Sequence, residues 1–534
     1  MYDILIRKGR VIDGSGNPWF EADVGVEKER ITAIGSLASA PADTIIDARH
    51  MVVCPGFVDM HSHSDFTLLV NPLAESKIRQ GVTTEVIGNC GLSAAPLPNL
   101  LKENILKTMP MLKEAKLELT WSTMGEYISL MRMKGVALNV VPLVGNSNIR
   151  VSLLGFENRL PTRDELQEMR RVLAKAMEDG AFGMSTGLIY PPSCYADIDE
   201  IVQLAKVVAQ FGGIYASHIR GEGFTLIDAV KEAIEIGERA GVPVEISHHK
   251  ASGKTNWGKV KQTLQMMEEA RRRGVDVTCD VYPYTAGSTG LDSLLPPTAY
   301  EGGVEKLIKR LSVPKTRKKI REEMIRASEK GGPDALGRPE WDVIMISYCK
   351  GHPDLEGRTI KDLSEEKDID PFEFVFDLLI EEKASVGIVL FTMCDEDMRY
   401  VLSHHLSMVG SDSSTRAPYG VLSKGKPHPR TYGTFPRILR RYVQEEGALT
   451  LENAIRKMTS LPAQKLKLKD RGLIRRNMLA DIVVMDPKQV IDQATYQEPH
   501  QYPKGFDYVL VNGRLVIECR AHTKALPGQV LRLS

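Results

Sequence analysis

Residues 164–218 read DELQEMRRVLAKAMEDGAFGMSTGLIYPPSCYADIDEIVQLAKVVAQFGGIYASH. Leu166, Met169, Val172, Leu173 and Met177 recur at helical spacing, and Gly180 supplies the stop. AFGMSTGLIY then reads as a strand, DIDEIVQLAKVVAQFGG as a second helix and IYASH as a second strand. The alternation continues outward through helix TLIDAVKEAIEIGERAG, strand VPVEISH, helix WGKVKQTLQMMEEARRRG and strand VDVTCDVYPY. Each period takes roughly 30 residues, the size of a βαβ unit. Repeated over this length, the pattern favours a closed (β/α)8 barrel over an open sheet.

The two ends have a different texture. Residues 1–55 (DILIRKGRVI, ADVGVEKERITAIG, DTIIDARHMVVCP) and the stretch from about 466 to 534 read as short alternating strands. Asn512-Gly513 inside FDYVLVNGRLVIEC is a hairpin signal. The expectation is therefore an α/β protein: a TIM barrel over residues 56–465, with a small β-sandwich domain built from both termini. VIMISY and VGIVLFT also read as strands, so nine or ten candidates compete for eight places. From about Leu291 to Asp342 the rhythm breaks into a charged helical segment, read as an insertion near the seventh and eighth strands. A lid is one role for it, and a solvated helical face is the plainer one.

Composition narrows the class. A chain of 534 residues exceeds one average domain, but a barrel with insertions absorbs most of it. Lys and Arg number 69, as do Asp and Glu, which offers no basic or acidic field for a nucleic-acid or membrane partner. Seven scattered cysteines do not make a disulfide framework, and the first residues lack the pattern of a secretory signal. The expectation is a cytoplasmic enzyme acting on a small molecule, and the oligomeric state is left open.

Parallel barrels carry their chemistry at the C-terminal strand ends. PGFVDMHSHSD places His61 and His63 two apart, on one face if the strand continues. Cys90 ends EVIGNC, His218 ends IYASH, His248 ends VEISH and Asp412 ends LSMVGSD. Imidazole and thiolate suit zinc, and Cys90, His218 and His248 make a three-ligand set; His61 and His63 are placed to hold a second ion or to shape the site. Asp412 is the candidate to take a proton from the attacking water and return it to a leaving group; its plain alternative is a turn residue. His249 should point to the opposite face, and His404 and His405 read as ordinary helix-end residues.

These motifs carry a resemblance. PGFVDMHSHSD is similar to the first-strand signature of the amidohydrolase superfamily, and ADIVVMD resembles the small β domain of its hydantoinase-like branch. GNCG, STGLIYPP, SHIRGEG, ISHHK, DVYPYTAGST, GSDSS and HPRTYGTFPR together resemble the N-acyl-D-amino-acid deacylases, or D-aminoacylases. The resemblance implies zinc on Cys90, His218 and His248, a second position at His61 and His63, and Asp412 as general base and then acid. One tightly bound ion is implied, with a second site possible. Related enzymes bridge two metals with a carboxylated lysine on the fourth strand, and AFGMSTGLIY has none.

For the substrate's α-carboxylate, Lys250 supplies charge, Tyr282 and Ser288 are candidate donors, and Tyr190 is placed to serve the developing oxyanion. Arg220 and Glu222 read as a pair orienting the His218 strand end, and Met393 or Phe391 as lining of an apolar pocket. No arginine is singled out by motif for an acidic side chain. The activity implied is zinc-dependent hydrolysis of an N-acyl-D-amino acid to a carboxylate and a free D-amino acid. The alternatives are a hydantoinase- or dihydroorotase-like cyclic-amide hydrolase and a non-catalytic structural homologue.

Overall fold

The computed structural model describes residues 1–330 and 340–533. The opening stretch forms two of its βα units. Thr162 caps helix Arg163–Glu178 in a capping box with Glu165, and Met169, Leu173, Ala176 and Met177 are the buried stripe. Leu166 and Val172 are only half-buried, at the edge of that stripe. Each large apolar side chain so buried contributes about 2 kcal/mol. Asp197 caps the next helix, Ile198–Gln210, from its side chain to the Glu200 amide.

Eight parallel strands follow one another around the barrel: Phe57–Asp59, Val82–Ile87, Asn139–Pro142 continuing as Val144–Gly145, Gly183–Gly187, Ile214–His218, Val244–Ile246, Val277–Val281 and Ser407–Val409. The ring closes where Met60 N donates to Val409 O at 3.1 Å and Ser62 bridges Ser413. A buried lysine secures this seam. Lys77 Nζ lies 2.7 Å from Asp59 Oδ2 and 2.9 Å from Ser413 O, and Asp59 Oδ1 accepts from Ser411 N at 2.8 Å. The Asp of the PGFVDMHSHSD stretch thus ties the first strand to the eighth. Both charges are fully buried, so the pair depends on these hydrogen bonds to offset its desolvation.

The two ends of the chain meet in one nine-stranded sheet. Strand Val52–Pro55 is its junction, pairing parallel to Tyr2–Val11 and antiparallel to Ile482–Met485. Asn512 and Gly513 both have positive φ, 48° and 75°, as a type I′ hairpin requires between Phe506–Val511 and Arg514–Glu518. Ile6, Val24, Val53, Val484 and Leu510 share one apolar cluster on this sheet.

The surplus strand candidates find partners outside the barrel. Ile344–Cys349 and Val386–Leu390 pair antiparallel with each other, and Gly287–Gly290 joins the second of them. This small sheet has its own apolar cluster, with Leu307, Leu311, Ile346, Phe376 and Leu379. The segment between the seventh and eighth barrel strands is therefore longer than residues 291–342, because it includes both strands that looked like barrel strands. Residues 331–339 of that reading lie outside the described residues. Among the described residues no helix is long and apolar enough to cross a membrane.

Candidate metal centre

Six polar side chains converge at the C-terminal mouth of the barrel. Three of them, Cys90, His248 and Asp412, sit in the left-handed region, with φ of 51°, 36° and 49°. A non-glycine residue there costs on the order of 1–3 kcal/mol and persists only when its surroundings dictate it. In each case the strand has just ended, and the left-handed step turns the side chain across the barrel mouth.

The surroundings that hold Cys90 are specific. Asp65 accepts from Gly88 N at 3.2 Å and from Ala94 N at 3.1 Å, clamping both flanks of the turn. A Cβ on Gly88 would stand 2.3 Å from Leu143 O, and one on Gly91 would stand 2.6 Å from Gly187 N. Both glycines also have positive φ, 79° and 78°. Gly91→Ala is expected to cost on the order of 2–3 kcal/mol of stability, because strain and a backbone clash add. Urea denaturation of the metal-free variant measures this, and an unchanged midpoint would show that the turn has slack.

His61 Nε2 lies 3.2 Å and His248 Nε2 3.5 Å from Cys90 Sγ. Asp412 Oδ1 is 3.0 Å from His63 Nε2 and 3.5 Å from His61 Nε2. Ligand atoms of His61, Cys90, His248 and Asp412 all lie within 4.8 Å of one another, as do those of His218, Glu222 and His248. Donors about 2.0–2.3 Å from a tetrahedral zinc stand about 3.3–3.8 Å apart, so the spacing suits such an ion. His218 gives a second indication: both ring nitrogens are buried and without a hydrogen-bond partner among the described residues. Its ring centroid is 4.4 Å from that of His248. Buried nitrogen, sulfur and carboxylate donors, one imidazole of them unsatisfied, are the chemistry of a borderline-soft divalent cation.

His61 and His63 do not continue a strand, which stops at Asp59. They reach the site from the segment after it, His61 fully buried and His63 partly exposed. Asp280 holds His61 in place, with Oδ2 3.3 Å from Nδ1, and its Oδ1 accepts from His248 N at 2.9 Å. Fixing Nδ1 in this way leaves Nε2 facing inward. His249 points away, with Nε2 2.8 Å from Thr263 Oγ1, and burial holds it neutral by lowering its pKa to about 3. His404 and His405 lie beside Glu268, well apart from this cluster in the fold.

Charge keeps the donors ionised. Burial opposes the Cys90 thiolate, but the imidazoles of His61 and His248 outweigh it and hold the thiol well below its usual range. Burial likewise opposes the Asp412 carboxylate, and Arg430 and the neighbouring histidines hold its pKa well below normal. Arg430 Nη1 is 3.0 Å from Asp412 Oδ2, and its guanidinium lies 4.5 Å from the Tyr282 ring centre.

The other expected residues take the following places, and one expected pairing is replaced. Arg220 does not pair with Glu222; it forks onto Glu232 and donates to the carbonyls of Cys194 and Ala196. Glu222 instead lies 2.9 Å from His248 Nδ1 and 2.5 Å from Lys250 Nζ, so the Lys250 charge reaches the cavity already countered. The Ser288 hydroxyl donates to Ile388 O at 2.9 Å, because its strand belongs to the inserted sheet. Met393 packs with Tyr282 and Tyr284, and Phe391 stacks edge-on against Tyr496. Tyr190 lines the cavity beside His218, its hydroxyl 3.1 Å from Thr289 Oγ1. That cavity is about 930 Å³ and holds Lys250, Tyr282, Ser288 and Arg430 together with the cluster.

A family model described as "Amidohydrolase family" matches residues 44–336 and 343–517. The chain belongs to the amidohydrolase family. Two relatives from Alcaligenes xylosoxydans xylosoxydans match nearly end to end. One is an N-acyl-D-glutamate deacylase, 36% identical over 99% of this chain and 96% of the relative. The other is a D-aminoacylase, 35% identical over 99% and 97%. A solved N-acyl-D-glutamate deacylase from Bordetella bronchiseptica, complexed with zinc and a phosphonate mimic of the tetrahedral intermediate, superposes with a TM-score of 0.83. It is 34% identical, with 99% of each chain covered. In this amidohydrolase, sequence reasoning missed Asp280, the true partner of Glu222, and Arg430. Arg430 was in view inside HPRTYGTFPR, an arginine two residues after a histidine, but nothing in one dimension aimed it at Asp412.

Proposed function

We propose that this chain hydrolyses the amide bond of N-acyl-D-amino acids, with zinc on Cys90, His218 and His248, a second, weaker position at His61 and His63, and Asp412 beside them as the general base. The observation that carries the reading is the buried cluster itself: thiol, imidazole and carboxylate donors within 4.8 Å of one another at one barrel mouth, with both His218 nitrogens lacking a hydrogen-bond partner among the described residues. The deacylase names of full-length relatives supply the substrate class and the D configuration.

Bound there, zinc would polarise the acyl carbonyl and make water a better nucleophile at neutral pH. Asp412 accepts the proton of the attacking water at its carboxylate and returns it to the leaving nitrogen. Arg430 and His63 keep that carboxylate ionised and aimed. Tyr190 donates to the developing oxyanion, where one donor is worth roughly 3 kcal/mol. Lys250, Tyr282 and Arg430 receive the α-carboxylate, with Ser288 behind them on the cavity wall.

The fourth strand, Gly183–Gly187, carries no lysine, which argues against a lysine-bridged cyclic-amide hydrolase; Cys90 faces both ligand groups instead. Intact ligands argue against a non-catalytic homologue. The same reading assigns residues 1–55 and 466–534 to a small β-sandwich domain around a barrel over 56–465. The seven unpaired cysteines favour the cytoplasm.

A kinetic panel of N-acetylated D- and L-amino acids, with hydantoin alongside and zinc measured on the same protein, tests the reading. Turnover confined to D substrates with about one zinc retained supports it. Purified protein with no zinc and no rescue by added zinc would remove it.

Zinc binding should also release a proton. Burial and Lys250 lower the His248 pKa, but Glu222, Cys90 and Asp412 more than offset them and raise it to about 9. The metal-free ring is therefore protonated at pH 7 and must lose its proton to ligate. A raised pKa favours the metal-free state below about 9, so apparent affinity should climb up to about tenfold per pH unit and then level. Calorimetry in buffers of differing ionisation enthalpy reads the proton count. Equal release at pH 7 and well above 9 would contradict it.

A further inference from the structure

We propose that the cavity selects N-acyl-D-amino acids whose acyl group is a long apolar chain, bound in a channel on the side of the barrel mouth away from the carboxylate-binding cations. This rests on the deacylase reading and adds the identity of the acyl substituent.

The cavity is far from uniform. Lys250, Tyr282 and Arg430 enter it from the connections after the sixth, seventh and eighth strands. The opposite wall is richer in apolar side chains, with Asn104, Thr108 and Ser147 among them. Leu101 and Met109 come from the connection after the second strand, and Val151 and Phe156 from that after the third. The inserted segment brings Leu295 and Tyr300 across to face them.

This apolar end is a built space rather than a gap between loose loops. Gly302 N donates to Phe156 O at 2.9 Å, and the Phe156 and Tyr300 rings lie 6.4 Å apart. Ser385 Oγ donates to Thr108 O at 3.0 Å, and Lys107 pairs with Glu305 at 2.7 Å. The second- and third-strand connections are thus both fastened to the inserted segment.

Substrate geometry decides what enters. In R–CO–NH–CH(R′)–COO⁻ the carboxylate and R′ both hang from the carbon on the nitrogen side of the carbonyl. The chain R leaves the carbonyl carbon in the opposite direction. With the carbonyl at the ligand cluster and the carboxylate on the cations, R points toward Leu101, Met109, Val151 and Phe156. An acetyl group would leave most of a cavity of about 930 Å³ empty. Each buried methylene is worth about threefold to fourfold in affinity (about 0.8 kcal/mol).

The experiment uses the zinc-loaded full chain with N-acetyl-, N-butanoyl-, N-hexanoyl- and N-octanoyl-D-alanine. Expected is a rise in kcat/KM of about tenfold per two added carbons over the series. A flat or falling series, with the acetyl compound still turned over, would overturn the channel and leave the deacylase reading standing. No turnover of any member would overturn both. A steeper gain from lengthening the D side chain of N-acetyl substrates than from lengthening the acyl chain would assign the channel to R′ and overturn the proposal. Met109→Trp should lower kcat/KM for the octanoyl substrate by about tenfold while acetyl turnover stays within about twofold. Retained acetyl turnover reports that the variant is folded, and equal effects on both substrates would count against the channel.

Discussion

Asp412→Asn is expected to leave zinc stoichiometry unchanged and to cut kcat by roughly 10²–10⁴-fold. The amide keeps the shape of the carboxylate but has no basic oxygen to accept the proton of the attacking water. Three neighbours make this substitution informative. His63 Nε2 lies 3.0 Å from Oδ1, Arg430 Nη1 lies 3.0 Å from Oδ2, and His61 Nε2 lies 3.5 Å from Oδ1. In the proposed ligand set Cys90, His218 and His248 hold the tight ion, and none of them is altered. Arg430 is buried and loses its counter-charge, so a fall in thermal stability is expected alongside the catalytic loss. Assays are therefore run well below the variant's melting temperature, with zinc measured on the same sample. A loss of kcat at constant zinc content is the signature of a missing base. Near-normal turnover at full zinc would refute the role, and loss of zinc would make Asp412 a ligand first.

The pattern of the chain speaks clearly where burial and period coincide, and less clearly where partners are chosen in three dimensions. Met169, Leu173 and Met177 face the core because a 3.6-residue period leaves them nowhere else. The strand-end rule brought Cys90, His218, His248 and Asp412 to one list because parallel strands deliver their last residues to one face. The same reasoning found Ile344–Cys349 and Val386–Leu390 as strands but did not separate them from the barrel strands. Most of their residues are buried, and a run of buried residues records that a strand is covered, not which strand lies beside it. Asp280 was hidden for a related reason. It is the penultimate residue of the seventh strand, 219 residues from His61, and no local pattern joins them. Glu222 was assigned to the wrong cation because Arg220 is its neighbour in sequence while Lys250 is its neighbour in space. The left-handed backbone at Cys90 was hinted at by its two glycines, whereas that at His248 and Asp412 left no such mark.

Cys90→Ser is expected to weaken zinc binding by at least about 10²-fold and to lower activity in parallel at limiting zinc. The sulfur lies between two candidate ligands, 3.2 Å from His61 Nε2 and 3.5 Å from His248 Nε2. Its ionisation is prepared by those imidazoles before any metal arrives. Serine occupies almost the same volume and tolerates the same turn, which the Asp65 clamp and the flanking glycines still impose. What it lacks is an ionisable group: its hydroxyl stays protonated at neutral pH and is a hard donor where zinc prefers a soft one. Ligand loss and unfolding are separable here. The metal-free variant should retain the circular dichroism of the metal-free parent, while competition with a chromophoric chelator reads the affinity. Cobalt(II) in place of zinc adds a direct test of the bond, since sulfur-to-metal charge transfer absorbs in the near ultraviolet in the parent and should vanish in the variant. Unchanged zinc affinity together with an unchanged cobalt spectrum would remove Cys90 from the ligand set. His218 and His248 would then have to hold the ion with an oxygen donor, for which Glu222, already 2.9 Å from His248 Nδ1, is the candidate within reach.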